Sequence, residues 1–87
     1  MHEMTLMNGL ITKMESIASE QNARRIKRVK VRLGALSHIS ADHFRGHFVE
    51  GTQGTVADGA RLDIEISEDM DSPNAQDILL VSVDIEP

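Results

Sequence analysis

The spacing of the apolar residues changes once along the chain, and this change constrains the fold more than any other feature. In the first part, apolar side chains recur at helical positions i, i+3, i+4 and i+7, which are Met7, Leu10, Ile11, Met14, Ile17 and Ala18. That spacing predicts an amphipathic helix from about residue 4 to about residue 22. From residue 28 onward the spacing becomes two, and Val29, Val31 and Leu33 alternate with basic residues. This alternation predicts a half-buried strand.

Two later segments repeat the alternation and predict two more strands. In residues 60–67 the inward row is Leu62, Ile64 and Ile66. In residues 78–86 the predicted inward row is Leu79, Val81, Val83 and Ile85, which leaves Ile78 and Leu80 on the outer side. The outward residues of the later strands are largely acidic, whereas those of the first strand are basic. We therefore expect the outer face to be a solvated lattice of opposite charges.

A second helix is predicted over about residues 40–50, between the first two strands. Ser37 or Ser40 can cap its N-terminus. Ala41, Phe44 and Phe48 fall on one face and would pack on the sheet. These elements predict an α+β fold, in which a three-stranded, mainly antiparallel sheet carries both helices on one face. We expect residues 1–87 to form a single domain.

Composition narrows the class of protein. The 87 residues are 40% hydrophobic and 26% charged, as in a small globular domain. No apolar run approaches the roughly 18–20 residues of a membrane span, and no basic region leads into an apolar run at the N-terminus. We therefore expect a cytoplasmic protein. A net charge of −5, with two Phe and neither Trp nor Tyr, argues against nucleic-acid binding.

The sequence contains no pattern that indicates an enzyme. Residues 51–55 (GTQGT) lack the lysine and the spacing of a phosphate-binding loop. Ser37 and Ser40 are not in a nucleophile elbow, and the aspartates of residues 69–77 do not have the spacing of a calcium loop. The absence of cysteine excludes a thiolate nucleophile, a disulfide and a cysteine zinc site.

The most unusual local feature of the sequence is its first three residues, Met1, His2 and Glu3. A free terminal amine, the adjacent imidazole and two deprotonated backbone amides can form fused chelate rings around one ion. Four coplanar nitrogens suit Ni(II) or Cu(II). The alternative is a frayed terminus that happens to carry a histidine.

Three further histidines are weaker candidates. His43 and His47 stand at i and i+4, which places both on one side of the second helix and within reach of one ion. No carboxylate falls at an obvious third-ligand position, so the alternative is a pair of solvated histidines. His38 follows the first strand and could approach the N-terminus if the two chain segments are neighbours.

Taken in order along the chain, several segments resemble the HypA/HybF family of nickel metallochaperones. They are Met1-His2-Glu3-Met4 before the helix, residues 29–37 (VKVRLGALS), residues 44–51, residues 54–65 (GTVADGARLDIE) and residues 79–86. The resemblance covers nearly the whole chain. The combination of these segments is specific for the family, whereas any one segment alone would not identify it.

The resemblance implies a Ni(II) site made by the Met1 amine, the His2 imidazole and backbone nitrogens, with Glu3 nearby. It also implies delivery to a HypB-type GTPase and then to the hydrogenase large subunit, or to urease in some organisms. Members of the family carry a zinc domain with two CxxC pairs between the second and third strands. Here residues 67–77 (SEDMDSPNAQD) join those strands directly and cysteine is absent, so no structural zinc is expected.

Some alternatives stay open at this point. The chain is either a natural zinc-less paralogue or a deletion that isolates the nickel module. A rival to the metallochaperone is a protein–protein interaction or regulatory module that keeps the scaffold without transferring metal. A three-stranded sheet also has two edges, and a homodimer through the final strand would use one of them.

Overall fold

The computed structural model describes residues 3–87, with side chains from residue 5 onward. Within that range lie two helices and three strands. In chain order they are α1 (Glu3–Glu20), β1 (Arg25–Leu33), α2 (Ala41–Gly51), β2 (Arg61–Ile66) and β3 (Ile78–Glu86). Both helices match their predicted ranges to within two residues, and the α+β class is confirmed.

Helix α1 forms because its apolar stripe is buried against the sheet. Met7 and Met14 are completely buried, and Leu10, Ile11 and Ala18 are nearly so. The helix ends where Asn22 adopts a left-handed conformation with φ of 54°, a common way for a short polar side chain to terminate a helix. The amide of Ala23 then donates to the Ala18 carbonyl at 2.9 Å. The buried methionines act as core residues.

Helix α2 begins at a capped residue and is anchored by two phenylalanines. The Ser40 hydroxyl accepts a hydrogen bond from the His43 amide at 3.1 Å, so Ser40, and not Ser37, is the N-cap. Phe44 and Phe48 are buried to 0% and 1% exposure. At the far end, the Thr52 hydroxyl donates to the Phe48 carbonyl at 2.7 Å. The helix is therefore fixed at both ends and along one face.

The strand order is β2-β1-β3, so the first strand is central. Strands β1 and β3 pair antiparallel, but β1 and β2 pair parallel, with Arg28 opposite Arg61 and Leu33 opposite Ile66. The sheet is mixed, not mainly antiparallel as the sequence predicted. The physical reason is the connection: α2 and its flanking loops carry the chain back across the sheet, so β2 starts at the same end as β1.

The inward row of β3 differs from the prediction in its first half. Lys30 pairs with Ser82 and Val31 with Leu80, so Val81 is an extra residue, a β-bulge. The bulge changes which face of the sheet the preceding residues of β3 point to, so Ile78 and Leu80 pack against the core. Val81 is instead 42% exposed, while Val83 and Ile85 face the core as predicted. At the end of β2, Ile66 is also exposed, contrary to its predicted inward position.

The core lies between the sheet and the two helices. It joins the buried stripe of α1 and the two phenylalanines to Ile26, Val29, Val31, Leu33 and Leu62 of the sheet. Both helices thus cover one face, as predicted. Neither helix of the described part has the length and apolarity to cross a bilayer.

Candidate metal centre

The residues of the predicted terminal chelate precede α1 in the chain or begin it. Met1 and His2 lie outside the described residues, and Glu3 is the first residue of the helix, described for its backbone alone. The structure does show how the helix that follows these residues is held in place. Met7 is completely buried one turn into the helix, so the helix that carries the terminus is fixed to the core. The ligand set Met1, His2 and Glu3 remains a prediction.

The two helix α2 histidines lie side by side. The ring centroids of His43 and His47 are 4.7 Å apart, and the ring planes are inclined by 28°, as in a stacked pair. The predicted placement on one side of the helix is confirmed. His43 is exposed and His47 is half-buried. Each directly precedes a buried phenylalanine in the sequence, Phe44 or Phe48.

His38 lies in the connection between β1 and α2, three residues before the helix begins. It has a left-handed backbone conformation, with φ of 58°, and its side chain is exposed. Among the residues that the structure describes, no three side chains of His, Cys, Asp or Glu converge on a point where they could hold an ion. The described structure therefore does not gather His38 with the other two histidines into a three-ligand site.

The outer face of the sheet is the expected lattice of charges. The guanidinium of Arg28 donates to Asp63 at 2.5 Å, and that of Arg32 donates to Glu65 at 3.0 Å, both across the parallel strand pair. Lys30 also reaches Glu65 at 3.6 Å. The hydrogen bond from Arg28 holds the pKa of Asp63 below its usual value, and the hydrogen bond from Arg32 does the same to the pKa of Glu65. The basic side chains of β1 are therefore paired with the acidic side chains of β2.

A cavity of about 420 Å³ lies where residues 67–77 meet the ends of β1 and β2. Its walls include Arg32, Glu65 and Leu79. Two backbone hydrogen bonds attach this segment, from Gly34 N–H to the Asp77 carbonyl at 2.9 Å and from Leu36 N–H to the Ala75 carbonyl at 2.7 Å. No pattern in the sequence predicted this cavity. Because Arg32 and Glu65 bind each other, this charge pair is already satisfied before a ligand could enter.

Comparison with known proteins finds similarity to one family and to several of its members. The family described as "Hydrogenase/urease nickel incorporation, metallochaperone, hypA" matches residues 1–70. The hydrogenase maturation factor HypA of Methylocella silvestris is 39% identical over 66 residues, which are 76% of this chain and 58% of that protein. The factor of the same name from Archaeoglobus fulgidus is 33% identical over 66 residues. The chain thus spans less than two thirds of the length of these relatives.

Solved structures show the same fold. The solution structure of the Ni metallochaperone HypA from Helicobacter pylori superimposes with a TM-score of 0.80. The alignment covers 99% of this chain and 98% of that one, at 23% sequence identity. A second solution structure of a HypA protein gives a TM-score of 0.74 at 22% identity. The likeness includes β3, which lies beyond the residues of the family match.

Proposed function

This chain belongs to the HypA family, and from that membership we propose that it binds Ni(II) and hands it over during the maturation of [NiFe]-hydrogenase, or of urease. The observation that carries the proposal is the family match over residues 1–70. That match begins with Met1, His2 and Glu3, whose nitrogen donors could form a planar chelate for Ni(II) or Cu(II). The protein acts as a carrier and not as an enzyme.

The start of α1 suits the proposed chelate. The first four N–H groups of a helix have no partner within the helix, and Glu3 is the first residue of α1. Its amide can therefore lose a proton to a metal without breaking a helical hydrogen bond. The same amide in the middle of a helix would have to give up its bond to the preceding turn. The Met1 amine and the His2 imidazole then complete a plane of four nitrogens.

The charge of this complex also fits its position. The N-terminus of a helix carries about half a positive elementary charge, which disfavours a bare divalent cation there. Two deprotonated amides cancel the two charges of Ni(II), so the planar complex with a neutral amine and imidazole has no net charge. The helix dipole therefore does not oppose binding. A terminal site also leaves the ion accessible, as hand-over requires.

We propose a HypB-type GTPase and the hydrogenase large subunit as the partners, in the cytoplasm. Support comes from the names of the curated relatives, which are hydrogenase maturation factors. Contacts that depend on a cysteine zinc domain are not part of the proposal, because the chain has no cysteine and residues 67–77 connect β2 to β3 directly.

Calorimetric titration of untagged protein with Ni(II) tests the proposal. Wild type should bind one equivalent, and His2→Ala should abolish that binding. His38→Ala is the matched control, since it removes an exposed histidine of the described structure, and it should bind as wild type does. Binding that survives His2→Ala would contradict the terminal site. A wild-type protein that binds no Ni(II) would favour the interaction module over the carrier.

A further inference from the structure

Exposed apolar side chains occur where the chain leaves β2. Ile66, the last residue of that strand, is 59% exposed, and Met70, in the segment that follows, is 64% exposed. Ile66 also lines the cavity of about 420 Å³, together with the half-buried Leu79. This volume lies in the range of roughly 300–1,000 Å³ that ligand pockets have. Exposed apolar surface beside a cavity is a feature of interaction sites.

The charges around this cavity are acidic and only partly neutralised. Glu65, Glu68 and Asp69 line it, and Arg32 alone is basic among the described lining residues. Arg32 and Lys30 both contact Glu65. Glu68 and Asp69 are exposed, and neither forms an ion pair with any residue that the structure describes. The cavity therefore presents unpaired negative charge next to apolar surface.

The walls of the cavity are held in place before any partner binds. The Ser67 amide donates to the Leu33 carbonyl at 2.9 Å, which fixes the start of the segment that joins β2 to β3. The Gly34 amide fixes the other end through its bond to the Asp77 carbonyl. The Ser67 hydroxyl accepts from the Asp69 amide at 3.2 Å, which positions one of the two unpaired acidic residues. A preformed site loses little conformational freedom on binding, so a partner does not have to order this segment.

We propose that this cavity is a docking site for a basic amphipathic segment of a partner protein. A lysine or arginine of that segment enters the cavity beside Glu68 and Asp69, and neighbouring apolar side chains of the partner pack on Ile66 and Met70. A long basic side chain suits both parts of the site, because its methylene groups contact apolar surface while its charged end reaches the carboxylates. An inorganic cation would gain nothing from the apolar side chains, and an uncharged apolar ligand would gain nothing from the carboxylates.

An NMR titration of isotope-labelled wild-type protein tests the proposal, with a terminally blocked peptide of alternating lysine and leucine as the probe. Amide signals of residues 65–72 and of Leu79 should shift, and those of α2 should not. Two control peptides separate the two kinds of contact, one with glutamine in place of lysine and one with serine in place of leucine. Each should bind about tenfold more weakly than the probe, because each keeps only one kind of contact.

Charge variants of the protein show whether the peptide binds at the cavity. Glu68→Gln/Asp69→Asn should weaken binding of the lysine–leucine peptide about tenfold, since two ion pairs at an exposed site are lost. Glu15→Gln/Glu50→Gln makes the same change of net charge at two exposed positions of the helices. This control should bind the peptide as wild type does.

Apolar variants complete the design. Ile66→Ser should weaken binding about fivefold, whereas Val49→Ser, which removes a similarly exposed side chain from α2, should not change it. A wild-type protein that does not bind the peptide, or binding that the cavity variants and their controls weaken equally, would overturn the docking site. None of these measurements involves nickel, so their outcome is independent of the proposed nickel function.

Discussion

The backbone of Ala75 lies directly against Gly34, at the end of the central strand. The amide of Gly34 donates to Asp77 and that of Leu36 to Ala75, so residues 75–77 run alongside residues 34–36. A Cβ atom at position 34 would overlap the Ala75 carbonyl and would lie 2.6 Å from the Asn74 carbonyl oxygen. Glycine is therefore required here for close approach, and the segment that joins β2 to β3 depends on it.

Gly34→Ala should destabilise the protein by about 1–3 kcal/mol, because the new methyl group must displace backbone atoms. In a domain of this size, each kcal/mol should lower the melting temperature by roughly 4–8 °C. Gly9→Ala is the matched control, since a methyl group at position 9 in α1 would meet no described atom within 4 Å, and it should stabilise by about 0.5–1 kcal/mol. Thermal denaturation of both variants measures the difference. Equal melting temperatures would contradict the close packing of residues 74–77.

The charge lattice predicts a specific loss of stability in acid. Asp63 and Glu65 have lowered pKa values in the folded state, so they bind fewer protons there than in the unfolded chain. Their contribution is present above the ordinary carboxyl pKa and is lost as the pH falls below about 4. Urea denaturation from pH 6 to pH 2 should show this loss in wild type.

The double variant Asp63→Asn/Glu65→Gln should be less stable than wild type at pH 6 and should approach it at pH 2. Glu15→Gln, on the solvated side of α1, is the control and should keep the wild-type pH profile. An unchanged profile in the double variant would show that the lattice does not contribute to stability.

We expect the two edges of the sheet to differ in how well they would support a homodimer. Arg45 donates to the Leu62 carbonyl at 3.0 Å, which occupies one backbone acceptor of β2. Strand β3 is longer and carries the exposed Val81, although its bulge limits regular pairing. We therefore expect weak self-association through β3. In sedimentation experiments at high concentration, Val81→Lys should shift the protein toward the monomer, and Ile66→Lys, at the end of β2, should not. The reverse order of effects would place the interface at β2.

Local patterns were sufficient to predict both helices. The α1 stripe from Met7 to Ala18 needs only its own spacing, and Ser40 acts within one turn of α2. Relationships set by the tertiary structure were not predictable in the same way. The parallel pairing of β1 with β2 depends on the path of the chain between them, and the bulge at Val81 reversed the facing of Ile78 and Leu80 without any marker in the sequence.

The candidate metal-binding residues show the same difference between local patterns and tertiary structure. Helical geometry was enough to predict that His43 and His47 are neighbours, and the structure confirms it. Whether His38 joins them is a tertiary question, and in the described structure it forms no three-ligand group with them. The terminal chelate was selected by chemistry and by family resemblance, and it involves residues outside the described range.

The visible absorption spectrum of the Ni(II)-loaded protein tests the central claim most directly, with the terminal amine either free or acetylated. A free amine should give a yellow, diamagnetic square-planar complex with one equivalent of Ni(II), since all four nitrogens are available. Acetylation removes one of these nitrogens while His2 stays in place, and it should abolish the planar spectrum. A planar spectrum that persists after acetylation, or octahedral Ni(II) in the unmodified protein, would contradict the terminal nickel chelate.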